Sequence, residues 1–442
     1  MTIRFRFFLA CFLCSITLLA HAQETAKPTK IALRAAHLID GKSDTPVNNA
    51  VVLIEGTKIT AIGSNLLVPT GTTVIDLGDL TLLPGLIDVH THLLLDMDGT
   101  NLTQQDLGLL GIVATQSTAE RALVGAKLGR EDLEAGITTV RDVGNSGVNG
   151  DVALRDAINR GWVPGPRIVA ATRALAAQGG QFGWIIPEAQ HLIEQEYVIL
   201  HGPESARQAV RQALYDGANC IKVIVNGSPA DVTLDEMKAV VEEAHTAGVK
   251  VAAHAIGNKA TRIAAEAGVD SIEHAYTVED DTLKMMAAKH IFLVPTDGTV
   301  QEFMDMEFGS RQLTAEERQE AEARFKGYVD GNRDRLQRAI KFGVPIAAGS
   351  DRYLSIPGET RGQVSLRLYD AYIEEGMTPL QIIHAATSSA AELLGWQSKI
   401  GTLEAGRLAD IIAVPGDPLM DAKALKHAKF VMKDGVVVKN EK

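Results

Sequence analysis

Between about residues 86 and 394 the sequence alternates short apolar runs with longer stretches of helical periodicity. This alternation is typical of a parallel sheet covered by helices, because a helix usually makes each crossover between parallel strands. The eight runs are LIDVHTHL (86–93), TTVRDVG (138–144), PRIVAATRAL (166–175), CIKVIVNG (220–227), KVAAHA (250–255), SIEHA (271–275), IFLVPTD (291–297) and PIAAGSD (345–351). Eight such units in about 300 residues predict an α/β fold, a (β/α)8 barrel, rather than an open doubly wound sheet.

Polar residues within these runs strengthen that choice. Six of them are of metal-ligand type or close to it: His90, His92, Lys222, His254, His274 and Asp351. The first two are two positions apart, so on a strand they share one face. In a closed barrel the carboxyl ends of different strands converge on one mouth, whereas an open sheet would spread them along an edge. The spacing therefore predicts one site at the barrel mouth.

The residue types predict what that site binds. Four imidazoles and one carboxylate suit zinc or a similar first-row divalent ion. Lys222 lies alone in an apolar strand, where burial near cations disfavours its ammonium form. A neutral amine there can add CO2 and become a carbamate that bridges two ions. We therefore predict two divalent metal ions, Zn2+ by preference, and a carbamate on Lys222.

Taken singly, each of these residues has a simpler interpretation. A His-x-His pair is often structural, a buried lysine often extends its ammonium group to solvent or an acid, and Gly-Ser-Asp is often a turn or helix cap. It is the set, in barrel order, that predicts the metal site. The remaining histidines are predicted to have surface or packing roles: His37, His191, His201, His245, His290, His384 and His427. Cys220 is predicted to fill a small core position.

The first 22 residues are typical of a secretory signal. Arg4 and Arg6 precede an apolar run from Phe7 to Leu19, and Ala20-His21-Ala22 provides a small-x-small cleavage pattern. A membrane anchor is the alternative, but it needs about 20 apolar residues. We therefore predict an exported protein, periplasmic or secreted, with no membrane anchor after cleavage. Two of the three cysteines fall inside this segment, which leaves no pair for an internal disulfide.

The regions on either side of the predicted barrel share another character. Residues 31–83 and the last 30 or so residues consist of short β runs separated by turns. We predict that residues 23–83 and 397–442 form one small β domain, with the barrel at 84–396. The formal charge is −12 and no long basic run occurs, which argues against nucleic acid or an anionic membrane as partner.

Several of these segments resemble a known family. GLIDVHTHL, GITTVRDVG, IKV, VAAHA, SIEHA, AAGSD and the late IGTLEAGRLADIIAV look like the amidohydrolase superfamily. The resemblance is to the imidazolonepropionase-like branch, which contains Xaa-Pro dipeptidases (prolidases) and ochratoxinase-type amidases, and it covers nearly all of the chain after the signal.

The resemblance implies a (β/α)8 barrel with a β-sandwich built from both termini, one or two zinc ions and, in many members, a homo-oligomer. In the binuclear type, His90, His92 and Asp351 would bind one ion and His254 and His274 the other, bridged by carbamylated Lys222. Related dipeptidases often have Gly-Gly-His after the third strand. This chain has Gly179-Gly180-Gln181, followed by Phe182, Gly183 and Trp184, so the metal ligands match but the substrate preference is left open.

A reaction follows from this site. Water shared by two divalent ions loses a proton near neutral pH and can attack an amide carbonyl. Asp351, beside that oxygen, is the predicted proton acceptor that returns the proton to the leaving amine. We expect a small-molecule amide substrate whose leaving group is a C-terminal amino acid: a dipeptide, an N-acyl amino acid or an ochratoxin-like aryl amide. The alternatives are a cyclic amide or lactone hydrolase and, outside enzymes, a periplasmic metal-binding barrel.

The candidate substrate contacts lie close to Asp351 and after the third strand. Arg352 and Tyr353 follow Asp351 directly, and an arginine at 352 or at Arg361 would hold a substrate carboxylate through two hydrogen bonds. A salt bridge that stabilises the loop is the alternative role for either arginine. Phe182 and Trp184 would form an aromatic wall or, alternatively, pack their loop onto the barrel rim.

Overall fold

The computed structural model describes residues 29–98, 105–182, 184–227, 230–309 and 311–441. Within these ranges no helix is both long enough and apolar enough to cross a bilayer. The predicted signal at residues 1–22 lies outside the described residues, so export stays a prediction.

The chain alternates strands and helices in the order that the sequence pattern indicates. The strands are β1 (Lys30–Leu38), β2 (Val47–Glu55), β3 (Lys58–Ser64), β4 (Thr73–Asp76), β5 (Thr81–Pro84), β6 (Leu86–Thr91), β7 (Met97–Asp98), β8 (Ile137–Asp142), β9 (Arg167–Ala170), β10 (Ala174–Ala176), β11 (Tyr197–Ile199), β12 (Cys220–Ile224), β13 (Lys250–Ala255), β14 (Ser271–His274), β15 (Phe292–Val294), β16 (Leu354–Ser355), β17 (Ile411–Val414), β18 (Phe430–Lys433) and β19 (Val436–Asn440).

The helices cover the strands. They are α1 (Gln105–Thr115), α2 (Thr118–Ala135), α3 (Gly150–Asn159), α4 (Ile193–Glu196), α5 (Pro203–Tyr215), α6 (Leu234–Thr246), α7 (Asn258–Ala267), α8 (Asp280–Ala288), α9 (Val300–Phe308), α10 (Ala315–Phe342), α11 (Arg361–Ser365), α12 (Leu368–Glu374), α13 (Pro379–Ala385) and α14 (Ser388–Leu393). Helix α6 begins at Thr233 with the capping box that its sequence predicts, since Thr233 and Glu236 each bond the other's backbone N–H.

Two runs of parallel strands make up the barrel wall, β6–β8–β9 and β10–β12–β13–β14–β15. Asn219 connects them: its side-chain oxygen accepts from the N–H of Ala170, and its own N–H donates to the carbonyl of Ala170. The eighth run connects their other edges. Leu293 of β15 donates to the carbonyl of Pro345, and on the opposite side Val89 of β6 donates to the carbonyl of Ala348. These bonds bring the eight predicted runs into one ring.

Two of the predicted strands differ from an extended strand. The third run breaks between β9 and β10 at Thr172, whose φ of +63° turns the chain and whose N–H donates to Asp151. The eighth run makes one isolated bridge, between Ile346 and Leu293, instead of a ladder. Its backbone partners are divided among β15, β6, the carbonyl of Ala385 at the end of α13, and the side chain of Asp88, which accepts the N–H of Ser350. Local polar contacts therefore replace regular strand pairing at these two places.

Eight further strands from both ends of the sequence, β1–β5 and β17–β19, form a second sheet. Its order is β19–β18–β17–β5–β1–β2–β3, with β4 paired to β1. β5 and β17 are antiparallel neighbours, so the N-terminal and C-terminal groups of strands join there. The sheet has an apolar cluster of its own, which includes Leu33, Leu82 and Phe430. The domain boundaries at 83/84 and 396/397 stay a prediction.

One ion-pair cluster fastens this sheet to the barrel. Arg167 of β9 contacts Asp410 at 2.6 Å and Asp434 at 2.5 Å, and Asp434 lies in the turn between β18 and β19. Asp410 is buried and the Arg167 side chain is 16% exposed, so the charge of Asp410 depends on Arg167 more than on water.

We predict that Arg167→Ala lowers the free energy of unfolding by about 3 kcal/mol, because it leaves buried carboxylate charge without a partner. Arg130→Ala is the matched control, since Arg130 forms an exposed pair with Glu134 on α2. That change is expected to cost no more than about 0.5 kcal/mol. Urea denaturation followed by circular dichroism measures both, and equal losses in the two variants would contradict the interpretation.

Candidate metal centre and active site

The six residues of metal-ligand type all line one cavity of about 730 Å3. The rings of His90 and His92, which come from the end of β6, are 5.4 Å apart between centroids. His274 lies 5.2 Å from His90 and 4.6 Å from His254. The Nζ atom of Lys222 is 3.5 Å from Nε2 of His90. Residues that are up to 261 positions apart in the sequence thus converge on one site, as predicted.

Beneath this cluster lies a buried ion pair. Arg141 of β8 and Glu273 of β14 have no exposed side-chain surface, and they are 2.9 Å apart. The other oxygen of Glu273 contacts Nδ1 of His90 at 2.8 Å. Burial works to raise the pKa of Glu273, but Arg141 and His90 outweigh it and hold that pKa well below its ordinary value. Glu273 is therefore ionised and accepts a hydrogen bond from the Nδ1–H group of His90.

The same logic fixes the tautomers of two further rings. Nδ1 of His92 faces the carbonyl of Gly144 at 2.9 Å, and a carbonyl can only accept. Nδ1 of His274 is 2.7 Å from the hydroxyl of Thr296, which itself donates to the carbonyl of Pro295. Each Nδ1 is thus a donor, so in the neutral form of each ring the lone pair lies on Nε2.

Nε2 of His90 and Nε2 of His92 both face Asp351. Oδ1 of Asp351 lies 3.1 Å from Nε2 of His92 and 3.5 Å from Nε2 of His90. Burial raises the pKa of Asp351, but the imidazoles around it outweigh burial and the pKa falls well below its ordinary value. Two nitrogen lone pairs that face an ionised carboxylate repel it unless a cation lies between them. The donor set therefore fits a metal ion, and one ligand atom each of His90, His274 and Asp351 lies within 4.8 Å of the others.

Burial keeps the nitrogen ligands uncharged. It lowers the pKa of His90 to about 4 and that of His254 to about 3, while His274 also falls well below its ordinary value. Burial lowers the pKa of Lys222 to about 8, against the opposing pull of Glu273 and Asp351. Neutral imidazoles bind metal ions, and a lysine with this pKa has about a tenth of its amine neutral at pH 7, far more than an ordinary lysine.

Unusual backbone positions place several of these side chains. His274, Thr296 and Asp351 have φ values of +73°, +59° and +57°, which non-glycine residues rarely adopt. Because the strand geometry of β14 ends at His274, Glu273 and His274 both reach the barrel interior instead of alternating. Gly349 allows the eighth run to lie against β6, since a Cβ there would be 2.7 Å from Cβ of His90. Strain of this kind is typical of functional sites.

The predicted substrate contacts are divided. Tyr353 lines the cavity, 6.1 Å from the ring of His92. Arg352 touches the cavity wall, but its guanidinium is buried and paired with Glu302 at 2.6 Å. Arg361 is buried away from the cavity lining, where it donates to the carbonyls of Leu95 and Arg352. For both arginines the structure shows the salt-bridge and loop-stabilising role, because their donors are already used by the protein.

The loop after β10 also differs from the aromatic wall that the sequence suggests. Phe182 is buried against Tyr197, with ring centroids 5.6 Å apart, and it does not line the cavity. Trp184 is 91% exposed and lies outside the cavity lining. Within the described part of this loop, Gln181 is the residue that reaches the cavity. Phe182 therefore packs the loop, which is the alternative role given above.

Arg141, Glu273 and an aromatic group on the cavity wall are site residues that the sequence patterns above do not indicate. The signal for the first two was present, since each is a charged residue inside a buried run, and the two charges are opposite. The wall consists of Tyr276, Phe303, Phe325 and Tyr328. Its residues lie beyond strand ends and on α9 and α10, where no spacing rule connects them. Cys220, by contrast, is buried as predicted, and burial raises the pKa of its thiol to about 12.

Comparisons with known proteins agree with this architecture. Ochratoxinase of Aspergillus niger is 31% identical over 377 residues, which cover 79% of this chain and 73% of the fungal protein. Imidazolonepropionase of Geobacillus kaustophilus is 27% identical over 391 residues, covering 82% and 81%. The crystal structure of a Xaa-Pro dipeptidase with methionine bound in its active site superposes with a TM-score of 0.76 at 30% identity, covering 92% of this chain and 99% of that one.

The model of the amidohydrolase family matches residues 81–439. The predicted (β/α)8 barrel with a β-sandwich from both ends is confirmed by these structural neighbours. Proteins of this family are generally metal-dependent, which agrees with the cluster of His90, His274 and Asp351. The chain therefore belongs to the amidohydrolase family and is a hydrolase that acts on carbon–nitrogen bonds.

Proposed function

We propose that this protein is a zinc-dependent amidohydrolase that releases a C-terminal amino acid from a small acyl amide. The observation that carries the proposal is that Nε2 of His90 and Nε2 of His92 both face the ionised carboxylate of Asp351 inside one cavity. Imidazole and carboxylate ligands suit a borderline Lewis acid such as Zn2+.

Each side chain then has a definite role. His90, His92 and Asp351 would hold one ion, His254 and His274 the other, and a carbamate on Lys222 would bridge them. Bound ions would polarise the amide carbonyl and lower the pKa of a coordinated water to about 7. Glu273 and Thr296 keep the Nδ1 protons of His90 and His274 in place, so that the ligand nitrogens stay oriented.

Asp351 is the proton carrier in this proposal. Its lowered pKa keeps it ionised at neutral pH, so a carboxylate oxygen can accept the proton of the attacking water. The same oxygen can then deliver that proton to the amine nitrogen as it leaves. The bond broken is the amide C–N bond, and the products are a carboxylic acid and an amine.

Two observations support this substrate class: the activities named for similar proteins, and one arginine side chain on the cavity wall. The similar proteins include an ochratoxinase and a Xaa-Pro dipeptidase. On the cavity wall, Arg324 is 54% exposed and contacts Glu307 at 2.6 Å. A substrate carboxylate would compete with Glu307 for this guanidinium. The similarity to imidazolonepropionase favours a second candidate, the opening of a cyclic amide by the same residues.

We predict that the zinc-loaded protein hydrolyses at least one compound in a panel of Xaa-Pro, Xaa-Arg and Xaa-Phe dipeptides, N-acyl amino acids and ochratoxin A. Asp351→Asn should reduce turnover by about 10^3-fold or more, because it removes the proton acceptor. Mass spectrometry of the products measures hydrolysis of the panel and the turnover of Asp351→Asn. A thermal melt shows whether the variant is still folded. Cleavage of dihydroorotate or hydantoin alone would favour the cyclic-amide candidate, and near wild-type turnover in Asp351→Asn would remove Asp351 from the proton path.

Lys222→Ala tests the bridging carbamate. We expect bound zinc and turnover to fall together, and short carboxylic acids such as acetate or propionate to restore part of both. Metal content by mass spectrometry is the first readout, since it does not depend on a substrate. Lys238→Ala on α6 is the control for a lysine change away from the cavity. Unchanged metal stoichiometry and turnover in Lys222→Ala would exclude the carbamate.

Glu273→Gln tests the buried ion pair under His90. The neutral amide no longer holds the Nδ1 proton as strongly, so zinc affinity should fall about 10- to 100-fold. Glu320→Gln, on the exposed side of α10, should leave affinity unchanged. Competition against a chromophoric zinc chelator gives the affinity of each variant. The orienting role is excluded if Glu273→Gln binds zinc as tightly as the control.

A further inference from the structure

Four aromatic rings form a continuous series along one wall of the cavity. We call Tyr276, Tyr328, Phe303 and Phe325 the aromatic ladder. Tyr276 and Tyr328 have ring centroids 5.2 Å apart, Tyr328 and Phe303 are 5.3 Å apart, and Phe303 and Phe325 are 5.6 Å apart. These are the spacings of edge-to-face and stacked pairs. Each ring touches the next, and all four line the cavity.

The ladder starts at the candidate metal centre. The ring of Tyr276 lies 5.5 Å from that of His274, and its hydroxyl is 3.2 Å from the hydroxyl of Thr296. The guanidinium of Arg335 lies 5.8 Å from the Tyr276 ring, and Arg335 is itself fixed by Asp297 at 2.5 Å. The first ring is therefore held in position by buried partners, close to where the scissile amide would lie.

The other end of the ladder opens towards solvent on α9 and α10. Tyr328 is 38% exposed, and Phe303 and Phe325 are half-buried. The guanidinium of Arg324 lies 4.5 Å from the Phe325 ring, at the same end as Glu307. An apolar strip thus runs from the ligands outward and ends in a charged pair. By contrast, Gln181 and Asn226 give the cavity polar groups elsewhere in its lining.

We propose that the aromatic ladder is a binding subsite for an aryl group next to the scissile amide. A flat ring stacked along this wall would cover apolar surface that the cavity otherwise leaves to water, and aromatic faces and edges offer it matched contacts. The proposal rests on the proposed amide hydrolysis and specifies its substrate: an acyl amino acid with an aryl group on either the acyl or the amine side. It replaces Phe182 and Trp184, which lie outside the cavity lining, as the aromatic element of the site.

The test compares aryl and methyl substrates that are otherwise equal. N-acetyl-L-phenylalanine and N-acetyl-L-alanine differ on the amine side, whereas N-benzoyl-L-alanine and N-acetyl-L-alanine differ on the acyl side. We expect kcat/KM to be at least about tenfold higher for one aryl compound than for N-acetyl-L-alanine. Phe303→Ala should reduce that ratio by about fivefold, and Phe303→Leu should give an intermediate ratio because it keeps apolar volume without the ring.

Phe308→Ala is the matched control. Phe308 is on the same helix, α9, but lies outside the cavity lining, next to the exposed Arg311. This variant should keep the wild-type ratio. Equal kcat/KM for aryl and methyl compounds in the wild type, or an unchanged ratio in both Phe303 variants, would overturn the aryl subsite while leaving amide hydrolysis standing.

A binding measurement covers the case in which none of these amides is hydrolysed, which would count against the proposed function. Saturation-transfer NMR with 3-phenylpropanamide reports contact between a neutral aryl amide and the protein. We expect transfer to the ring protons in the wild type and in Phe308→Ala, and weaker transfer in Phe303→Ala. Absence of transfer in the wild type, or equal transfer in all three proteins, would overturn the subsite.

Discussion

The buried pair of Arg141 and Glu273 is the interaction on which the site depends. It places one ionised carboxylate inside the barrel, where an unpaired charge would cost several kcal/mol. That carboxylate fixes the Nδ1 proton of His90 and so directs the Nε2 lone pair of this ring towards Asp351. A carbonyl and a hydroxyl fix the Nδ1 protons of His92 and His274 in the same way, and Nε2 of His92 also faces Asp351. The histidine ligands are thus held in orientation by Glu273, a carbonyl and a hydroxyl, none of which is itself a predicted metal ligand.

Preorganisation also explains the irregular parts of the barrel. The eighth run has a single bridge in place of a ladder, because its N–H groups are divided among β15, β6, α13 and the side chain of Asp88. Gly349 lets this run approach His90 closely. The positive φ values at His274 and Asp351 place both side chains in the same cavity. A regular ladder would have directed alternate residues away from the site. The strands are therefore irregular at the ends that carry the candidate catalytic and metal-binding residues.

Some parts of the site follow from the sequence and others do not. Period-two spacing and the convergence of strand ends were enough to bring His90, His92, Lys222, His254, His274 and Asp351 together, because both rules follow from backbone geometry. The roles of Arg352 and Arg361 depended on which acceptors lie nearby, and Glu302 and two carbonyls took their donors. The aromatic ladder depends on how α9 and α10 pack over the barrel mouth. Packing between distant elements has no local sequence signature. The roles of the two arginines and the aromatic ladder could therefore not be predicted from the sequence.

The sheet shared by the two ends has a consequence for synthesis. β5 pairs with β17, more than 300 residues later, so its edge stays without that partner until almost the whole chain has emerged from the ribosome. Contacts of such long range form slowly, and an open strand edge can pair with other chains. The barrel segment is made entirely within this interval. The nascent protein therefore carries an unpaired strand edge for most of its translation.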